Sequence, residues 1–227
     1  MRRPLIIAID GPSGAGKGTV AREVATRLSY RYVDTGAMYR AVAWRAQRQG
    51  VPLDDEARVR EVASNARVDM DAGRVAIDGV DVTRAIRTPE VDRAATLVAR
   101  LPRVREVLVA CQRTIGQEGG VVMEGRDIGT IVFPRADVKI YLDAAPEERA
   151  RRRASDPAHA VSGQGTAVAD VAVALEARDA SDRSRTVSPL TAAEDAVVID
   201  TTGLTIADVV DKVMAAIGNR QGIRNPQ

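Results

Sequence analysis

"IAIDGPSGAGKGTVA", Ile7 to Ala21, passes from a short apolar run, through closely spaced glycines and one lysine, into a helical pattern. The run from Leu5 to Ile9 reads as a buried parallel strand. Beyond the glycines, Val20, Val24 and Leu28 recur at helical spacing while Arg22, Glu23 and Arg27 face away. Strand, glycine loop and helix in this order make a phosphate-cradling loop. The glycines let successive N–H groups turn inward, the helix start adds partial positive charge, and Lys17 adds a full one. Gly11 to Lys17 fit that pattern, but Gly18 stands where Ser or Thr usually follows the lysine. Thr19 comes one place later, so a magnesium ion would lean on Thr19, on water and on substrate phosphates.

Further along, strands and helices alternate. Tyr30 to Val33 is a second short strand ending in "DTGAMYR", which opens a helix through Trp44. From Arg67 to Thr83 apolar and polar residues alternate between Asp-Ala-Gly and Asp-Gly turn signals, which predicts a small inserted antiparallel sheet. Pro102 opens a helix whose stripe Val104, Val107, Leu108, Cys111 and Ile115 predicts a packed core thiol at Cys111. Strands follow at Val121 to Met123, Val138 to Leu142 and Ala196 to Ile199. Between the last two come an arginine-loaded helix after Pro146, a Gly/Ser/Pro loop from Ser155 to Gly165 and a helix ending in "EARDASDRSR". The final helix is capped by Thr205 with Asp208 three residues on. It carries Ile206, Val209, Val210, Val213 and Ile217 on one face, and Gly218 stops it. Alternation of this kind predicts an α/β fold with a parallel sheet covered on both faces.

The chain has 227 residues, enough for one domain with insertions. Lys+Arg 33 against Asp+Glu 31 leaves only +2, which argues against a polyelectrolyte built for nucleic acid. Nearly all the basic charge is arginine, whose flat fork binds phosphate bidentately. A single cysteine excludes an internal disulfide and a multi-cysteine metal site. Asp10 interrupts the first apolar run too early for a signal sequence or membrane span, so a cytoplasmic protein is expected. His159, in the Gly/Ser loop, reads as a solvated residue.

Four other clusters fit the loop: "DTGAMYR", "PRVRE", "EGRDIGT" and "RDASDRSR". In a doubly wound sheet ligands bind beyond the carboxyl ends of the strands, so the first and third should share a crevice with the loop. The last also reads as a surface salt-bridge ladder of Arg178, Asp179, Asp182, Arg183 and Arg185. Likewise the run around Arg151 and Arg152 reads as a solvated helix face.

With "IRTPEV" from Ile86 and "VFPRADVKIYLDA" added, these motifs span nearly the whole chain, and together the chain resembles the bacterial cytidylate kinases. The resemblance implies a P-loop nucleoside monophosphate kinase fold with a five-stranded parallel sheet, a small antiparallel β insertion and a short lid. One domain would then run over 1–227: a core of 1–34, 101–148 and 169–218, an acceptor-binding region over 35–100, a lid over 149–168 and a frayed tail over 219–227. It implies phosphorylation of CMP and dCMP by ATP with Mg2+. Gly11, Pro12, Ser13, Gly14, Ala15, Gly16, Lys17, Gly18 and Thr19 would bind ATP, with Thr19 and Asp34 holding magnesium through water. Arg40 and Arg126, beside Thr35 and Tyr39, would hold the acceptor phosphate. Thr96, Arg105 and Asp127, assisted by Arg185, would read cytosine, and Arg178 and Asp182 would engage the ribose. Arg149 and Arg153 would close over the ATP phosphates, completing a catalytic set with Lys17, Arg126 and Asp127. Glu124 stands where this family often has Asp.

The chemistry agrees independently. A phosphate acceptor is already anionic, so transfer needs alignment and charge neutralisation rather than a strong base. A monomer acting on small molecules is expected, with neither nucleic acid nor membrane as partner. Two rivals stand beside it. A related kinase acting on UMP or shikimate would share the loop without "RDASDRSR" and "PRVRE". A nucleotide-gated nucleic-acid-binding protein would use the arginine patches, though 3% aromatic content is little for base stacking.

Overall fold

The computed structural model describes residues 3–71, 73–156 and 168–223. Strand β1 (Ile6–Asp10) is buried along its whole length, as a continuous apolar run demands of a central parallel strand. It lies between β6 (Val121–Glu124) and β7 (Val138–Asp143); β2 (Arg31–Asp34) and β8 (Val197–Asp200) complete the sheet in the order β2-β6-β1-β7-β8. Every pairing is parallel, with Ile9 opposite Glu124 and Ile140. Helices α1 (Lys17–Leu28) and α8 (Ile206–Ile223) cover the sheet through Val20, Val24, Val210, Val213 and Ile217.

Between β2 and β6 the chain builds α2 (Thr35–Arg48), α3 (Glu56–Asn65), α4 (Pro89–Val98) and α5 (Pro102–Gly116). The antiparallel strands β3 (Val68–Asp71), β4 (Arg74–Ile77) and β5 (Val80–Asp81) stand where the alternation predicted them. Helix α2 is apolar on two faces. Met38, Val42 and Ala46 pack among α3, α4 and α5, while Ala37 and Ala41 meet Val75, Ile77 and Ile86 around the small sheet. Asp34, Asp55 and Thr88 cap α2, α3 and α4 through their side chains, and each cap sets where its helix enters the core.

The structure departs from the sequence reading at three places here. Cys111 is exposed. Val104 and Leu108 of the stripe are buried and Val107 and Ile115 pack against the core, but the buried arc of α5 also takes in the polar Arg105 and Gln112, which shifts it away from Cys111. Helix α8 runs through Gly218 to Ile223, so neither that glycine nor a frayed tail from 219 ends it; in mid-helix, glycine costs only about 1 kcal/mol. Ile206 is 56% exposed rather than on the apolar face, because it is the first helical residue and overhangs the cleft. The Thr205–Asp208 capping box is present, each side chain bonding the other's backbone N–H. His159 and the loop positions 157–167 lie outside the described residues.

The phosphate loop leaves β1 at Gly11, whose φ of +144° is open to glycine alone, and a Cβ there would stand 1.9 Å from the Leu142 carbonyl oxygen. Gly11→Ala is therefore expected to destabilise the protein by about 3 kcal/mol or more, read as a shift in the urea midpoint.

Candidate active site

A cleft of about 750 Å3 opens beyond the carboxyl ends of the strands, walled by the phosphate loop on one side and by α2, α4 and α5 on the other. Ser13 to Thr19 line it. Gly11 and Pro12 lie behind, Pro12 lending its carbonyl to Lys17 Nζ at 2.7 Å. Burial pulls the Lys17 ammonium down to about 7 and Arg126 adds to this, while Glu124 and Asp179 oppose it.

Gly18 has a packing explanation. A Cβ there would stand 2.9 Å from Glu124 Oε1 and 3.5 Å from Tyr32 Oη. The Glu124 carboxylate, accepting from Tyr32 Oη at 2.9 Å, occupies the direction a residue-18 side chain would take. Burial and neighbouring Asp34 raise Glu124 above the usual carboxylate range against the pull of Lys17. Thr19 is exposed on the cleft wall.

Ser13 ties the loop to the rest of the site. Its N–H donates to Asp179 Oδ1 at 3.2 Å, its hydroxyl accepts from Arg126 at 2.7 Å and its carbonyl accepts from Arg149 at 3.0 Å. Arg149 and Asp179 are a buried pair under the loop, 4% and 0% exposed. Arg149 is therefore no cover for donor phosphates in this structure. Helix α6 (Pro146–Ala154) packs so closely on Gly14 that a Cβ there would meet the Arg149 backbone at 2.7 Å, which confines Arg149 to the loop's underside. Arg152 and Arg153 reach the cleft instead. Arg152 is no solvated residue, for it donates to the Thr201 carbonyl and hydroxyl at 2.7 and 2.8 Å; Arg151 is solvated as read. Arg153 bonds Asp92 of α4.

On the acceptor side Thr35, Tyr39, Arg40, Thr96, Arg105, Arg126, Asp127, Arg178, Asp182 and Arg185 all line the cleft. Arg40 donates to Asp34 at 2.8 Å, and Arg87 stands 3.7 Å from the same carboxylate. With its other oxygen capping α2, Asp34 is committed to these partners, at odds with a magnesium role. Burial would raise it, yet the two arginines hold it below the usual range. Arg105 crosses the Tyr39 ring at 5.3 Å and meets Asp127 at 2.5 Å, both charges buried. Thr35 and Thr96 turn their hydroxyls to the Glu124 and Asp92 carbonyls at 2.7 and 3.0 Å.

The run "RDASDRSR" is not a surface ladder. It closes α7 (Val168–Arg183), where Asp179 and Asp182 share the buried face with Leu175. Asp182 binds Arg126 at 2.9 Å and Arg185 as well, so it serves arginines first. Arg178 is pushed down to about 9 and Arg185 to about 10, by burial and then by arginine neighbours. Such crowding calls for a polyanion. Asp92 and Thr201 are structural partners the sequence pattern did not mark, and Asp179, read there as a rung of the surface ladder, is instead the buried partner of Arg149. The i, i+3 spacing of Asp179 and Asp182 beside Leu175 is the signal that hints at its burial.

A glycine loop on a parallel strand, facing an array of arginines across one cleft, defines a phosphate-loop kinase. The chain belongs to the cytidylate kinase family: the model of that family matches residues 7–219. It is 47% identical over 225 residues to a cytidylate kinase of Solibacter usitatus, covering 96% of this chain and 94% of that one. A cytidylate kinase of Desulfitobacterium hafniense is 48% identical, with 97% and 95% covered. A gluconokinase from Sinorhizobium meliloti shares the fold, with a TM-score of 0.50 at 14% identity and 98% and 97% of the chains covered. Among the described residues no helix is long and apolar enough to cross a membrane.

Asp179→Asn would leave the buried Arg149 without its carboxylate. It is expected to cost about 3 kcal/mol or more in urea unfolding, with Lys17 still in place.

Proposed function

We propose that this chain transfers the terminal phosphoryl group of ATP to the phosphate of CMP or dCMP, yielding ADP and CDP or dCDP. The observation that carries this reading is the face-to-face arrangement of Lys17 in the phosphate loop and Arg40, Arg126, Arg178 and Arg185 across the same cleft. The acceptor oxygen is already charged, so these residues align two anions and neutralise their repulsion without removing a proton. Lys17 and the N–H groups of Gly14 to Thr19 would hold the donor phosphates, and Arg153 would leave Asp92 to join them. Arg40 and Arg126 would hold the acceptor phosphate. Asp127, oriented by Arg105, would accept from the cytosine amino group; the uracil carbonyl at that place would face a carboxylate.

Magnesium fits this donor set as an ion carried mainly by phosphates and water, with Glu124 and Thr19 rather than Asp34 nearby, and it would supply charge neutralisation on the migrating group. Among the described residues no three acidic, histidine or cysteine side chains cluster as a protein-only metal site. A cytoplasmic monomer acting on small molecules, without nucleic acid, completes the reading; a net charge of only +2 supports the last of these.

A coupled ADP-release assay with magnesium-ATP against CMP, dCMP, UMP and AMP tests this function. CMP and dCMP are expected to be the preferred acceptors, and folded protein that makes no CDP would overturn the reading. Asp127→Asn should lower the CMP-to-UMP ratio of kcat/KM by about tenfold or more, because an amide can satisfy either base edge. Binding of magnesium-ATP at pH 8 should take up about one proton. Lys17 at about 7 is largely neutral there until the polyphosphate raises it, and the uptake should vanish below pH 6. Calorimetry in buffers of different ionisation enthalpy measures it.

A further inference from the structure

The residues that carry the acceptor-side chemistry at the end of β6 sit on a short arch with two anchors. Gly125 N still bonds the Ile9 carbonyl at 3.0 Å, the last rung of the ladder between β6 and β1. The chain then leaves the sheet for Arg126 and Asp127 and returns at a π-helical turn, Ile128–Val132. At that return both oxygens of a single buried carboxylate, Asp10, receive the backbone: Oδ1 accepts Ile128 N at 2.8 Å and Oδ2 accepts Gly129 N at 2.7 Å. Arg126 and Asp127 are the only residues between the anchors. The arch is also packed tight. A Cβ at Gly125 would meet Thr35 Oγ1 and the Ile128 side chain at 2.7 Å, and one at Gly129 would stand between the Lys139 side chain at 3.2 Å and Asp10 Oδ2 at 3.3 Å.

Asp10 is the last residue of β1, and the phosphate loop begins at the next position. One residue therefore joins the donor loop to the arch that reads the acceptor. We propose that Asp10 is a specificity-positioning residue: by gripping Ile128 N and Gly129 N it sets where Asp127 and Arg126 stand relative to the phosphate loop, and so enforces the choice of acceptor base. The inference rests on Asp127 reading the base, as proposed above. Asp10 does not line the cleft. It acts as a rigid second support of the kind that keeps a polar reader within the few tenths of an ångström its hydrogen bond tolerates.

A buried carboxylate at the opposite end of the same strand supplies the control. Asp137 accepts Ile6 N at 2.8 Å and pairs with Arg3, and neither lines the cleft. The measurement is the CMP-to-UMP ratio of kcat/KM, with magnesium-ATP as donor, in Asp10→Asn, Gly129→Ala, Asp137→Asn and Asp127→Asn. In Asp10→Asn an amide N–H faces one of the two backbone donors, and Gly129→Ala sets a methyl against Asp10 Oδ2 as well as against the Lys139 side chain, which does not line the cleft. Both are expected to lower the ratio by about tenfold or more, while Asp137→Asn lowers the melting temperature but leaves the ratio within about twofold. Should Asp10→Asn fail to fold, Gly129→Ala decides by the same criterion. A ratio that moves in Asp127→Asn alone overturns the proposal, as does an equal fall in Asp137→Asn. A ratio unmoved even in Asp127→Asn overturns the base-reading assignment and the proposal with it, a result distinct from the first.

Discussion

Repulsion among its own arginines is the constraint around which this site is built. Arg40, Arg105, Arg126, Arg153, Arg178 and Arg185 face one cleft, and a cluster of cations withdrawn from water cannot fold unless carboxylates are withdrawn with it. The structure supplies Asp34, Asp92, Asp127 and Asp182, each carried on a different element and each bonded to at least one of those guanidiniums. The pairing does not cancel the crowding: burial, and then the neighbouring arginines, still lower Arg178 and Arg185. Enough positive potential remains to draw in a polyanion, while the carboxylates hold the forks in fixed orientations before it arrives. Preorganisation of this kind favours catalysis, because the charges need not rearrange when the phosphoryl group moves.

The same electrostatic logic explains the unusual phosphate loop. Glu124 ends the strand beside β1 and turns its carboxylate into the space above residue 18, so that a side chain there would have to displace it. A carboxylate from a neighbouring strand thus stands beside the position where a hydroxyl commonly follows the lysine. Beneath the loop, Arg149 and Asp179 do for the backbone of Ser13 what the cleft carboxylates do for the arginines.

Periodicity made most of the fold readable. The buried run before Gly11, the helical stripe after it and the alternation from Arg67 to Thr83 each encode an element through local pattern, and each element is found there. Polar residues on a buried arc defeated that method. In α5 the inward residues Arg105 and Gln112 shifted the buried arc to one side of the apolar stripe, leaving its Cys111 exposed while Val104 and Leu108 stayed buried. Gly218 failed as a stop signal because α8 is held by packing of Val209, Val210, Val213 and Ile217, which outweighs a single residue's propensity.

Residue types and their spacing along the chain determined, unaided, that a phosphate loop opens a parallel sheet and that arginine-bearing segments end near it. Which arginine does what was decided only in three dimensions. Arg149 and Arg153 lie one helical turn apart, yet one is sealed under the loop and the other reaches the cleft; Asp34 and Glu124 end adjacent strands, yet the first is claimed by arginines and the second shapes the loop. A charged side chain's role depends on which partners lie within about 4 Å, and those partners come from segments far apart in sequence. No local pattern carries that information.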